Sequence, residues 1–192
     1  MENPRVIAIF DFDGTLIKGD SLWPFLYRLA GGRRSAGALL KALLFAFSQE
    51  DGRTAIKEGL LRAHLENRCA AELAPAIADL KKWVRWIPST VAALQEHHAK
   101  GHHILIASGS LDLYLPALLE GIPYDGLLCT SIGQKDGVLT GAMEGGNCVR
   151  RRKAERVKAY IEAYGPFADS WGYGNAPHDL PMLDLVQHRV VV

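Results

Sequence analysis

Residues 6–10, Val-Ile-Ala-Ile-Phe, are continuously apolar and largely β-branched, the pattern of a strand buried on both faces of a parallel sheet, and the run ends on Asp11. Beyond Ser21 the period changes. Leucine and alanine recur at helical spacing as far as Trp86, with breaks at Gly31-Gly32, Glu50-Asp51-Gly52 and near Asn67, which predicts roughly four helices and no strand. After Pro88 strands and helices alternate: a helix over 89–100 stopped by Gly101, a strand over 104–107, and a helix over 111–120 stopped by Gly121. Two β-prone runs between 127 and 142 flank Lys135-Asp136-Gly137, a turn signal, and predict a small hairpin leaving the main sheet. A helix over 151–164, a strand over 170–173, a short helix over 179–185 and a strand over 188–192 complete the pattern. The abrupt end at Val192 predicts that the natural chain runs further.

This alternation predicts an α/β fold: a doubly wound, mainly parallel Rossmann-like sheet carrying an inserted all-helical cap and a small β-hairpin. Residues 1–14 and 88–192 would form the core and residues 15–87 the cap, lying over the carboxyl ends of the strands where such sheets gather ligands. No internal repeat or low-complexity tract interrupts the scheme.

Composition narrows the function. The 192 residues, 48% hydrophobic, suffice for one packed core with an insertion. Lys and Arg number 22 against 21 acids, so no global field recruits nucleic acid or an anionic membrane. Cys69, Cys129 and Cys148 form no CxxC pair and no zinc spacing, which reads as thiols in a reducing compartment. The first hydrophobic run is broken by Asp11 and Asp13 rather than leading to a cleavage site, so a cytoplasmic protein is expected. The most apolar stretch, residues 36–47, contains Lys41 and falls short of the roughly 20 residues that a spanning helix needs.

Chemistry concentrates first at Asp11-Phe12-Asp13-Gly14-Thr15, two carboxylates two residues apart at the predicted ligand-binding edge. A hard divalent ion with oxygen ligands, magnesium above all, would relieve their repulsion. Asp11 could then attack phosphorus while Asp13 protonates the leaving oxygen and later deprotonates water. The bland alternative is a strand-end turn in which both aspartates merely cap the next segment. Gly109 and Ser110, opening the predicted helix at Leu111, would offer backbone N–H groups to an anion, with Ser110 as a plain N-cap the simpler reading.

Asp-Phe-Asp-Gly-Thr-Leu behind an apolar strand resembles the first motif of the haloacid dehalogenase superfamily of phosphotransferases. The second motif, a Ser or Thr ending an apolar strand, is matched at Ser108. Asn147-Cys148 followed by Lys153 is similar to the third motif of phosphoserine-phosphatase-like members, with arginines at 150–152 where relatives often carry glycine and acids. Gly174-Asn175-Ala176-Pro177-His178-Asp179-Leu180-Pro181-Met182-Leu183 matches the fourth, with Asn175 in place of the usual first aspartate.

The resemblance implies Asp11 and Asp13 as catalytic residues, and Ser108, Gly109 and Lys153 as phosphate ligands. Magnesium would be held by Asp11, the Asp13 backbone carbonyl, Asn175 and Asp179, the last directly or through water. It also implies a phosphatase working through an aspartyl-phosphate. The cap gives the substrate expectation: if Leu39, Leu40, Leu43, Leu44 and Phe47 form its own core, a small organic phosphate monoester is expected, with Asp20, just after the first motif, as a specificity residue. A lipid-phosphate phosphatase touching the membrane through residues 36–47, flanked by Arg33, Arg34 and Lys41, is the second reading. A phosphomutase or a non-catalytic phosphate-binding protein are the remaining alternatives. His97-His98 and His102-His103 read as solvated histidines at a helix end rather than a metal cluster, and Trp83 and Trp86 as packing residues of the last cap helix.

Overall fold

The computed structural model describes residues 5–30, 37 and 52–192. Its strands are β1 (Val6–Phe10), β2 (His103–Leu111), β3 (Gly126–Lys135), β4 (Val138–Glu144), β5 (Asp169–Gly174) and β6 (His188–Val191). Its described helices are α1 (Leu22–Ala30), α2 (Gly52–Leu65), α3 (Ala74–Trp83), α4 (Pro88–Ala99), α5 (Leu115–Leu118), α6 (Arg150–Tyr164) and α7 (Leu180–Leu183), with a 3-10 turn at Ala70–Leu73. The strands form one six-stranded sheet in the order β4-β3-β2-β1-β5-β6. Only β3 and β4 pair antiparallel; the other neighbours are parallel.

The reason β1 lacks polar residues is its central position. Ala8 and Phe10 point into one cluster and Ile7 and Ile9 into another, and all four are fully buried. Leu94 of α4 joins the first cluster; Val157 of α6 and Met182 and Leu183 of α7 join the second. Burying each large aliphatic side chain contributes about 1.5–3 kcal/mol, so a sheet covered on both faces is favoured over one open to water.

Between residues 15 and 87 the described residues form helices and no strand, only isolated bridges at Ile17, Cys69 and Trp86. Phe25, Leu26, Leu61, Leu65 and Leu80 of this segment share a continuous hydrophobic cluster with Ile104 and Ile106 of the sheet. Helix α2 also approaches β4 so closely that a Cβ on Gly141, whose φ is +69°, would lie 2.7 Å from Arg62 Cα. Only glycine satisfies both that contact and that backbone angle. Of residues 36–47 only Gly37 is among the described residues; the others, and with them Arg33, Arg34 and Lys41, lie outside them. Among the described residues no helix is long and apolar enough to cross a membrane.

Three expectations need correction. The strand expected to end at Ala107 runs on to Leu111, because Leu111 pairs with Thr130 of β3, and the following helix shrinks to Leu115–Leu118. Gly109 and Ser110 therefore lie in a strand with a register shift, not at a helix N-terminus. The hairpin is part of the sheet, since β3 pairs with β2 from Gly126 to Thr130 before turning into its pairing with β4. Finally, the histidines are not all solvated. His97 is buried, with Nδ1 2.7 Å from His102 Nδ1 and Nε2 3.0 Å from the Tyr173 hydroxyl. Burial pushes its pKa down to about 4, so it stays neutral against the rings of Phe10 and Trp171. His103 bonds the Tyr160 hydroxyl at 2.8 Å, and of the four only His98 is exposed. Trp83 and Trp86 do pack, Trp86 edge-on to Phe12.

Candidate active site

The carboxyl ends of β1, β2 and β5 surround a cavity of about 530 Å³. Asp11, Asp13, Asp20, Ser108, Gly109, Lys153, Asn175 and Asp179, from the sequence-predicted set, all line it. The sheet order explains the convergence: β2 and β5 flank β1, so the first, second and fourth motifs emerge side by side.

At its floor Lys153 Nζ donates to Asp11 Oδ1 at 2.7 Å and to Asp179 Oδ1 at 2.6 Å, and all three side chains are nearly inaccessible. Two carboxylates and one ammonium leave a net negative charge in a dry place. Burial opposes the lysine's charge, but Asp11 and Asp179 together outweigh it and hold Lys153 firmly protonated. Burial also raises Asp11, while Lys153 draws it back down. Thr15 Oγ1 donates to the other Asp11 oxygen at 3.0 Å, fixing the carboxylate plane.

Asp13 stands in a second network. Its Oδ1 accepts the Ser21 N–H at 2.9 Å and its Oδ2 accepts the Ser110 hydroxyl at 2.5 Å. Ser21 Oγ and the Tyr114 hydroxyl complete the cluster around Ser110 Oγ, at 2.8 and 3.2 Å. Burial, and next the charge of Asp20, push Asp13 up to about 7, poised to give and take a proton near neutrality. Asp20 itself accepts the Leu22 N–H at 2.9 Å and lines the cavity from the start of α1.

Ser108 is fully buried, and its Oγ accepts the Ser110 N–H at 3.0 Å, which leaves its own proton to donate elsewhere. Gly109 packs so tightly that a Cβ there would meet Val149 Cγ1 at 2.6 Å. Its carbonyl accepts from Lys57 Nζ at 2.6 Å, and Lys57 donates a second bond to Asn147 Oδ1 at 2.7 Å. Burial lowers Lys57 to about 8, against the pull of Asp20 and Asp13.

Lys57, Ser21 and Tyr114 carry no role in the sequence reading, and Thr15 appears there only as part of the first motif. For Lys57 a signal existed: it lies three and four residues from Leu60 and Leu61, on the buried side of α2. Ser21 and Tyr114 meet Asp13 only through tertiary contact, and no local pattern marks them.

Asn175 Nδ2 donates to the Asp13 backbone carbonyl at 2.9 Å, and Asp179 Oδ2 accepts the Asn175 N–H at 2.9 Å. Among the described residues no group of three or more His, Cys, Asp or Glu side chains is disposed as a metal site. A cation here would draw on mixed oxygens: the Asp11 and Asp179 carboxylates, the Asp13 carbonyl, and Asn175 Oδ1 after a half-turn of its amide. Hard oxygens in a net negative pocket fit magnesium, with water completing the shell.

Residues 8–184 match the model of the haloacid dehalogenase-like hydrolases. The chain belongs to that family. It is 30% identical to Protein CicA of Caulobacter vibrioides, an alignment covering 98% of this chain and 86% of that protein. It is 28% identical to a phosphoserine phosphatase of Halobacterium salinarum, over 93% of this chain and 81% of the relative. A substrate-bound phosphoserine phosphatase structure superposes with a TM-score of 0.69 at 16% identity, covering 99% of this chain and 87% of that one. The fold is therefore of the haloacid dehalogenase type, in its phosphoserine-phosphatase-like form.

Proposed function

We propose that the chain is a magnesium-dependent phosphatase that hydrolyses a small organic phosphate monoester through an aspartyl-phosphate on Asp11. The observation that carries this reading is the Asp11–Lys153–Asp179 pairing at the cavity floor, a carboxylate held by two bonds at one end of a strand with a fixed cation beside it. A structural ion pair would have no need of a second carboxylate, Asp13, kept near pH 7 two residues away.

In this reading an Asp11 oxygen forms a bond to phosphorus as the bond to the leaving oxygen breaks. Asp13, positioned by Ser21 and Ser110, gives its proton to that oxygen. Asp13 then takes a proton from water, which attacks phosphorus and releases Asp11. The Ser108 hydroxyl and the Gly109 edge bind phosphoryl oxygens, and Lys153 offsets their charge. Magnesium, when bound, would neutralise phosphoryl charge and bring substrate and carboxylate together. Asp11, the Asp13 carbonyl, Asn175 and Asp179 are the residues suited to hold it.

Residues 15–87 serve as a cap over a core of 1–14 and 88–192, with Asp20 facing the leaving group. A cytoplasmic small-molecule enzyme agrees with the three unpaired thiols, Cys69, Cys129 and Cys148. The relatives named phosphoserine phosphatases make phosphoserine the first substrate to try.

The test is phosphate release from a panel of amino-acid, sugar and nucleotide monoesters, with and without magnesium, in wild type and Asp11→Asn. Turnover that needs magnesium and falls to trace in Asp11→Asn is expected, with a phosphorylated protein trapped by acid quench in wild type alone. Undiminished turnover in Asp11→Asn would remove Asp11 as nucleophile, and product isomers without free phosphate would indicate a mutase.

A further inference from the structure

A second cavity, of about 450 Å³, adjoins the first and shares with it Thr54, Asn147, Val149 and Arg150. It is lined further by Arg151 and Arg152, with Glu58 as its one acid, and Glu58 pairs with Arg62 at 3.2 Å. The cavity next to the reacting carboxylates is thus extended by a cationic side chamber.

The arginines around it are not equivalent. Arg151 Nε is bonded to Glu155 at 3.0 Å, Arg152 Nη1 to the Gly145 carbonyl at 2.8 Å, and Arg156 Nη1 to the Cys129 carbonyl at 2.7 Å. Arg150 is exposed, has no such bond, and lines both cavities at their junction. Its backbone is unusual as well. Arg150 has φ +49°, the left-handed region that disfavours any residue with a Cβ, yet it is not a glycine. It is also the first residue of α6, where a positive side chain opposes the helix dipole. A position with two costs and no internal partner is one where the side chain acts on something outside the fold.

Lys57, the other cation facing the leaving-group side of the first cavity, is committed. Its two short bonds go to Gly109 and Asn147. The cation with donors to spare at the junction is Arg150.

We infer that Arg150 is a specificity residue that binds a second anionic group on the substrate, carried at the far end of a leaving group that reaches from the phosphoryl site to the mouth of the side chamber. This rests on the phosphatase reading. It assigns the substrate class as phosphate monoesters with a distal carboxylate or second phosphate, recognised by the planar guanidinium fork.

Binding of non-hydrolysable phosphonates tests it without turnover. Calorimetry would compare 2-carboxyethylphosphonate and propane-1,3-bisphosphonate with propylphosphonate, in wild type, Arg150→Gly and Arg150→Gln. Wild type is expected to prefer each doubly anionic ligand by about tenfold or more, as a charge-assisted bond gives. The preference should collapse towards unity in both variants, while the melting temperature of Arg150→Gly does not fall because glycine accepts the positive φ. The two anionic ligands distinguish a carboxylate site from a phosphate site. An equal preference in wild type and variants, or none in wild type, would overturn the assignment. Magnesium-dependent hydrolysis of para-nitrophenyl phosphate by wild type, run alongside, tells a failure of Arg150's role from a failure of the phosphatase reading.

Discussion

Two lysines line the same cavity, Lys153 buried and Lys57 half-buried, and they are held in opposite ways. Lys153, from the core helix α6, sits between two carboxylates that keep it charged. Lys57, from α2, sits among neutral oxygens, the Gly109 carbonyl and Asn147 Oδ1, and burial lowers it to about 8. The first arrangement is a fixed charge at the place where, in the proposed reaction, phosphoryl charge arrives. The second is a clamp between α2 and the strand loop beside it, which needs a donor more than a charge. The phosphoryl side of the pocket is therefore built to be invariant, and the leaving-group side to be adjustable.

The sharpest way to break that contrast is Lys153→Met. It strands Asp11 and Asp179 together without a counter-ion, and removing one partner from a buried ion network costs about 3–5 kcal/mol. Turnover is expected to fall by about 10²–10³, as when a preorganised charge stabiliser is removed. Urea melts and single-turnover rates would check both. A variant with normal stability and rate would mean that Lys153 is a bystander to the carboxylates.

The two sides also differed in how far the sequence could reveal them. Asp11, Lys153 and Asp179 fall at a strand end or the start of a helix, and local periodicity locates those ends to within a residue or two, whereas Ser108 lies inside β2, whose end it does not locate. The leaving-group side depends on contacts between distant segments, such as Lys57 with Gly109 and Ser110 with Asp13. No periodicity encodes those. The misplaced helix start at Leu111 has the same origin, because the pairing of Leu111 with Thr130 is a sheet contact that overrode a local helical pattern. His97 departs from the exposure expected at a helix end because β5 supplies Tyr173 to cover it.

Lys57→Met sharpens the comparison from the other side. Thr130 Oγ1 lies 2.9 Å from the Gly109 carbonyl and 3.2 Å from Asn147 Oδ1, so one of the two acceptors keeps a donor when the lysine is gone. Because the folded pKa lies below that of a free lysine, the buried charge penalises folding fully below about pH 8. That penalty is relieved as pH rises from about 8 to the ordinary lysine value, so this group's effect on stability improves across that window. Lys57→Met should therefore hold its stability at pH 7 and lose the wild-type gain above pH 8, while kcat/KM drops by about tenfold as the clamp loosens. Thermal melts across pH 7–10 and steady-state kinetics would decide. A large loss of stability at pH 7 would make Lys57 a structural ion and not a clamp.

The smallest expected effect belongs to Asn175→Asp, on the boundary between fixed and adjustable parts. In the native chain the Asn175 amide donates to the Asp13 carbonyl at 2.9 Å and so ties β5 to the first motif without any cation. A carboxylate cannot donate there. It would leave the Asp13 carbonyl facing another oxygen, which costs about 1–3 kcal/mol in the metal-free protein as an unsatisfied buried acceptor. A cation between the two oxygens removes that cost, so the substitution converts a hydrogen bond into a metal requirement. The metal-free variant is expected to melt lower than wild type, and magnesium should restore more stability to it than to wild type. The magnesium concentration for half-maximal activity should fall several-fold, whereas turnover at saturating magnesium changes little in comparison with Lys153→Met. Melting curves with and without magnesium separate the two effects. If magnesium stabilises both proteins equally, Asn175 does not touch the ion and serves only as the tie between strand and loop.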